Sequence, residues 1–216
     1  LSAAKALPDV PMMGAATAEE VLIADLLMGY CAAAQSAEAW KQWDFPLYIP
    51  AGTRLSAQAA GKRLSTGFQV TVILYGGDAM PPFRVGGTVT TYGMGTVPNG
   101  TIIIPGASGA EGAWTQITAS SSRAHFALVP SFQMAADATV TTGNYYVDLG
   151  VGAATEEEMA QSYVYSMSSG ERMGGPTHSM PAFVDVPAAT RLVMRASFSA
   201  ALDTGDLQGL IHAMGA

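Results

Sequence analysis

A chain of 216 residues with a net charge of −7 has no basic footprint, which excludes a nucleic-acid surface. Its one cysteine, Cys31, excludes an intrachain disulfide framework. No run of about 18 apolar residues occurs, so no membrane insertion is expected.

The hydrophobic share, 49%, is ordinary, but the charged share, 12%, is roughly half the usual one. Low charge with many small residues predicts a surface covered in part by neighbours; a neutral β surface is the alternative. Cys31 sits in Tyr30-Cys31-Ala32-Ala33-Ala34 and reads as a small buried residue. The start at Leu1, without Met or a basic leader, reads as processed or incomplete.

Leu1 to Met13, punctuated by Pro8 and Pro11, reads as an extended lead-in. Val21 to Leu27 is an apolar run of strand length. Its Ala-, Leu- and Glu-rich surroundings also suit a helix, but Gly29 interrupts the helical period. Glu38 to Phe45 is a loop carrying Trp40 and Trp43. Phe45 to Ile49 is a short strand with Pro46 inside it. Proline cannot donate to a ladder, so this strand belongs at an edge or a bulge. Pro50-Ala51-Gly52-Thr53 signals a tight turn, and Arg54 to Ala60 a half-buried strand. Phe68 to Tyr75 is the clearest strand of the first half: Val70, Val72 and Leu74 alternate with Thr71, Ile73 and Tyr75.

Gly76 to Gly100, rich in Gly and Pro, reads as a linker with a short strand at Phe83 to Tyr92. Strands are then expected at Thr101 to Pro105, Trp114 to Ala119, Ala124 to Gln133, Tyr145 to Leu149, Met159 to Met167, Met180 to Val186, Arg191 to Ser199 and Leu207 to Met214. Short strands with turn signals about 8 to 12 residues apart point to an all-β fold.

The chain also repeats itself. Ile49 to Leu55 reads IPAGTRL, and Val186 to Leu192 reads VPAATRL. Upstream, GAATAEE from Gly14 answers GAATEEE from Gly152. From Gly14 to Ile49 is 35 residues; from Gly152 to Val186 is 34. A weaker match aligns FQVTVILYGG from Phe68 with LQGLIHAMGA from Leu207. The expectation is two tandem β-sandwich domains, jelly-roll or Greek-key-like, from an internal duplication. The first copy takes 1–80, the linker 81–100 and the second copy 101–216. The repeat also assigns Val21 to Leu27 as strand, because its counterpart contains Tyr163, Val164 and Tyr165. Copy one has only 13 residues before its GAAT motif, so it appears without the first strands of copy two.

Few residues suggest chemistry. Glu156, Glu157 and Glu158 are consecutive, so on a strand they do not converge on one ion; a solvated turn is expected. His125, His178 and His212 share no ligand spacing and have no repeat counterparts, so no metal site is expected. His125 and His212 read as strand residues and His178 as a loop residue. Ser108 lacks the GxSxG spacing of a nucleophile elbow. The glycines at 86, 87, 93 and 95 precede no Lys-Ser/Thr, so no phosphate loop forms and no cofactor is implied. A glycan hydrolase needs two carboxylates about 5 to 9.5 Å apart, and no pair can be nominated. The chain is therefore read as non-enzymatic. The polar features kept in both copies are the turn residues Pro50, Thr53 and Arg54, with Pro187, Thr190 and Arg191. They read as structural, satisfying backbone groups where a turn enters a strand. Trp40 and Trp43 are candidates for a contact surface; plugging one end of a sandwich is the alternative.

Three segments resemble β-rich structural proteins in the virions of tailed bacteriophages. They are Trp114 to Ser120, Tyr146 to Ala154 and Phe45 to Leu55. The resemblance implies a virion component, either a capsid decoration protein or a fibre or tail-associated one. Its implied partners are other virion proteins and a host surface glycan. A carbohydrate- or receptor-binding fibre module is the second reading. Independently, the uncharged strand Phe68 to Tyr75 would need protection at an edge. A homo-oligomer burying about 1,000 Å² or more per interface is expected, and the resemblance suggests a trimer.

Overall fold

The computed structural model describes residues 12–15, 20–27, 41–58, 70–76, 84–95, 100–106, 109–134, 143–152, 156–167, 178–199 and 207–215. Every regular element among them is a strand. They are β1 Met12–Ala15, β2 Glu20–Ile23, β3 Gln42–Trp43, β4 Leu55–Gln58, β5 Thr88–Tyr92, β6 Thr101–Ile103 and β7 Thr115–Thr118. β8 His125–Met134, β9 Gly143–Val151, β10 Glu157–Met167, β11 His178–Ser179, β12 Ala182–Val186, β13 Leu192–Phe198 and β14 Leu207–Gly215 follow.

Two antiparallel sheets dominate. One runs β10-β9-β13-β7; the other runs β12-β8-β14-β5, with β6 also pairing along β14. They share one apolar core. Leu128, Phe132 and Ile211 enter it from the second sheet, and Tyr145, Val147, Leu192 and Met194 from the first. β14 is buried at every position, which explains its near-continuous apolar sequence. Gly209 lets β14 approach the opposite sheet. A Cβ there would lie 2.6 Å from Ile103 Cδ1 and 3.0 Å from Met194 Sδ.

A smaller sheet runs β2-β1-β4. The GAAT segments begin at the β1 end of the β1–β2 hairpin and at the β9 end of the β9–β10 hairpin. The Pro-Ala-x-Thr-Arg segments lead into β4 and β13, which pair with β1 and β9. Ala15 faces Leu55, and Val151 faces Leu192. Relative to the sequence match the second register is moved by two residues, which keeps each side chain on the same face. Both turns carry a left-handed residue, Gly52 at φ 82° and Ala189 at φ 63°. Glycine takes that conformation without steric cost and alanine does not. Ala189→Gly is therefore expected to stabilise the protein by about 1 kcal/mol, and Gly52→Ala to cost about as much. No atom lies within 4 Å of a Cβ at Gly52, so that cost would be conformational. Urea unfolding midpoints of the two variants check this.

The segment after β2 ties the small sheet to the large ones. Leu26 and Leu27 are buried, and Leu27 N donates to Ser131 Oγ at 2.8 Å. Thr91 Oγ1 donates to Ala24 O at 3.2 Å.

Several expectations are corrected. Val70 to Gly76 forms no strand; it is exposed coil, with Ile73, Leu74 and Tyr75 at 64%, 62% and 67%. Alternation supplies strand-forming side chains, but a strand also needs a ladder partner, and none lies beside this segment among the described residues. Strand structure after Glu20 ends at Ile23, and Ala24 to Leu27 is irregular. The Trp43 loop contains β3, which pairs in parallel with β11. His178, read as a loop residue, begins β11. Within the stretch read as linker, β5 joins the second large sheet beside β14.

Candidate functional site

Arginine and carboxylate side chains gather across the strands of the β10-β9-β13-β7 sheet. Arg191 closes the second repeated turn. Its Nη1 donates to Gly152 O at 2.8 Å and to Glu156 Oε1 at 2.7 Å, and its Nε to Gln116 Oε1 at 3.1 Å. The sequence motifs that begin at Gly152 and Val186 therefore meet through one guanidinium. Thr190 Oγ1 donates to Pro187 O at 2.8 Å, and Thr190 N to Ser121 Oγ at 3.1 Å. In the first turn Thr53 N donates to Pro50 O at 3.2 Å, while Arg54 is exposed. The pair of turns thus shares backbone form, and the side-chain bonds of Thr190 and Arg191 have no counterpart at Thr53 and Arg54 among the described residues.

A second guanidinium organises the middle of the sheet. Arg195 Nε donates to Asp148 Oδ2 at 2.9 Å, and Nη2 to Glu158 Oε2 at 2.8 Å. Glu111 Oε2 lies 3.4 Å from Nε. The guanidinium also stacks 4.4 Å from the centroid of Trp114. The Asp148 side chain is 5% exposed and that of Arg195 22%. Burial, helped by the neighbouring Asp148 charge, pushes the Glu111 carboxyl up against the pull of Arg195. The expectation of a solvated acidic turn fails here. Glu156 and Glu158 share a face and pair with Arg191 and Arg195, while Glu157 points away and is exposed. Hydrogen bonding to Arg191 holds Glu156 below the usual carboxylate range.

Sequence reading missed the Arg195 cluster. A signal existed: Arg195 and Asp148 are lone charges in otherwise apolar strands, and they face each other directly across the ladder.

The histidines do not converge. His212 is fully buried in β14, its Nδ1 3.0 Å from Thr91 Oγ1. The Thr91 hydrogen goes to Ala24 O, so Nδ1 carries the proton. Nε2 is then an acceptor with no hydrogen-bond partner among the described residues. Burial pulls this imidazole down to about 3. His125 lies on β8 with Nε2 2.9 Å from Tyr92 Oη, and burial lowers it as well. No group of three or more His, Cys, Asp or Glu among the described residues is arranged to hold a metal ion. No helix among them is long and apolar enough to cross a membrane.

Trp43 is half-buried and packs, with Phe45 and Val89, on Phe126, Ala127, Val129 and Met214. Its ring serves packing rather than display. Trp40, Ser108 and Cys31 lie outside the described residues. The arginines of this region are thus engaged with carboxylates and backbone, while Val70 to Tyr75 is the longest run of exposed apolar side chains among the described residues. Comparison with known protein families, characterised proteins and solved structures found no match for this chain.

Proposed function

We propose that the chain is a non-enzymatic structural protein of a bacteriophage virion, acting by assembly as a capsid decoration or a fibre or tail component. In this reading it consists of two tandem β-sandwich domains from an internal duplication. The matching strand orders β2-β1-β4 and β10-β9-β13, with the repeated turns at matching corners, support the duplication. The shared core between the two large sheets supports a sandwich. The virion assignment rests on the resemblance of Trp114 to Ser120, Tyr146 to Ala154 and Phe45 to Leu55.

One observation carries the assembling role. Val70 to Gly76 is uncharged and exposed, in a chain whose matching strand β14 is buried throughout. Exposed apolar surface of this kind marks an interaction site. The side chains that could do chemistry are meanwhile held in ion pairs and turn contacts. A carbohydrate- or receptor-binding module using Trp40 and Trp43 gains nothing from the packed position of Trp43.

Native mass spectrometry at micromolar concentration should show a homo-oligomer, a trimer or a closed ring. A stable monomer, equally solitary in purified particles, would remove the assembling role. Strong signals on a glycan array would move the reading to the fibre module.

A further inference from the structure

β14 buries a histidine on the face turned away from the shared core. Ile211 and Ala213 enter that core, so His212 between them faces the other way, and it is 0% exposed. Its described cover on that side is the irregular segment Ala24 to Leu27, with Phe45 edge-on to the ring. No strand pairing holds Ala24 to Leu27 among the described residues; side chains do. Thr91 Oγ1 donates to Ala24 O, Ser131 Oγ accepts from Leu27 N, and Lys41 Nζ donates to Leu27 O. Thr91 Oγ1 also accepts from His212 Nδ1, so the segment and the imidazole share one hydroxyl. Asp25, inside the segment, stands at φ 63°, a left-handed conformation that favours glycine.

We propose that Ala24 to Leu27 is an acid-released latch: a proton on His212 Nε2 frees this segment from β5 and β8 while the two large sheets stay paired. Nε2 has no hydrogen-bond partner among the described residues, so an imidazolium there needs water. Admitting water from the inner side would break the core common to both sheets. Admitting it from the outer side breaks a few side-chain bonds and relaxes Asp25, so the outer route opens first. The titratable side chains described on the segments around this face are Asp25, Lys41, Asp44, Tyr92 and His125. Burial alone, and no charge among them, lowers the proton affinity of His212. The segment follows β2 directly, so its release loosens the tie between the small sheet and the large ones. The latch is independent of any role in a virion.

Hydrogen exchange of the whole chain, read by mass spectrometry at about pH 7 and about pH 5 and corrected for the chemical exchange rate, tests this. An imidazole that titrates at about 3 under the latch and at 6.5 once free makes opening roughly twentyfold more frequent at the lower pH. Lys41, at about 7 under the latch, adds only about twofold over that range. Protection of amides 24–27 should therefore fall by about tenfold or more, while β9 and β13 change by less than about twofold. His212→Phe should remove most of that fall. Thr91→Val keeps the imidazole but removes the shared hydroxyl, and should expose the segment already at neutral pH. An equal fall in β9 and β13 would mean global unfolding and overturn the latch. So would unchanged protection of 24–27 in acid, a fall that persists in His212→Phe, or a Thr91→Val segment protected as in wild type.

Discussion

Replacing Arg195 by Met should cost about 3–5 kcal/mol, the range for removing one partner of a buried ion pair. The guanidinium bonds Asp148 and Glu158 and lies near Glu111, and Asp148 is almost fully enclosed. Without it, three carboxylates are left close together with that shared cation gone. Two features make the site sensitive to the shape of the cation as well as its charge. Arg195 reaches Asp148 and Glu158 through different nitrogens, and its plane stacks on Trp114. Lysine supplies charge but neither the fork nor the stack, so Arg195→Lys should fall between wild type and Met. The methionine deficit should also shrink on acidification from about pH 7 to about pH 4, as Glu111, whose carboxyl burial pushes up, takes up a proton and part of the repulsion is relieved. Urea titrations of the three proteins at both pH values measure this. Equal stability of wild type and Arg195→Met at neutral pH would mean that the cluster contributes nothing net.

That cluster illustrates what the sequence disclosed. The strands of the two large sheets were legible because each alternates or runs apolar between turn residues, as in Leu192 to Phe198 and Leu207 to Gly215. The repeated turns were legible because short, nearly identical motifs recur at nearly the same spacing. Their side-chain roles were not. Arg191 reaches Gly152 and Glu156, each more than 30 positions away, and that distance closes only once β13 has paired with β9. Phe68 to Tyr75 failed for a different reason. Alternation describes side chains that suit a pleated surface, whereas strand formation depends on an available edge. Trp43 was legible only as two alternatives, a contact surface or a packed aromatic, and its place beside the parallel β3–β11 pairing, on Phe126 and Met214, is the packed one.

Stability should fall steeply on mild acidification, by several kcal/mol, and the buried histidine of β14 should be the main cause. His212 is fully enclosed and its Nε2 has no hydrogen-bond partner among the described residues, so protonation would place a charge where nothing solvates it. Burial lowers its pKa from 6.5 to about 3. Below pH 6.5 the unfolded chain binds a proton that the folded chain refuses, so stability drops as pH falls until about pH 3. At about 1.4 kcal/mol per pH unit, the whole loss is of order 5 kcal/mol, with about 2 kcal/mol gone by about pH 5. His125, also lowered by burial, acts in the same direction. The upper part of the window lies above the ordinary carboxylate range, so the histidines dominate there. Lys41 produces the same slope on the alkaline side. Its Nζ donates to Leu27 O at 3.2 Å and Phe132 O at 2.9 Å, and burial pulls it from 10.5 to about 7. Between those values the unfolded chain again holds more protons, so stability should rise from about pH 7 to about pH 10.5. His212→Phe keeps an aromatic ring against Phe45, which meets His212 edge-on at 5.7 Å, and leaves Thr91 bonded to Ala24. That variant should lose most of the acid slope, and Lys41→Met most of the alkaline one. Urea midpoints across the pH range decide it: profiles for the variants that run parallel to wild type would show that neither group carries the dependence.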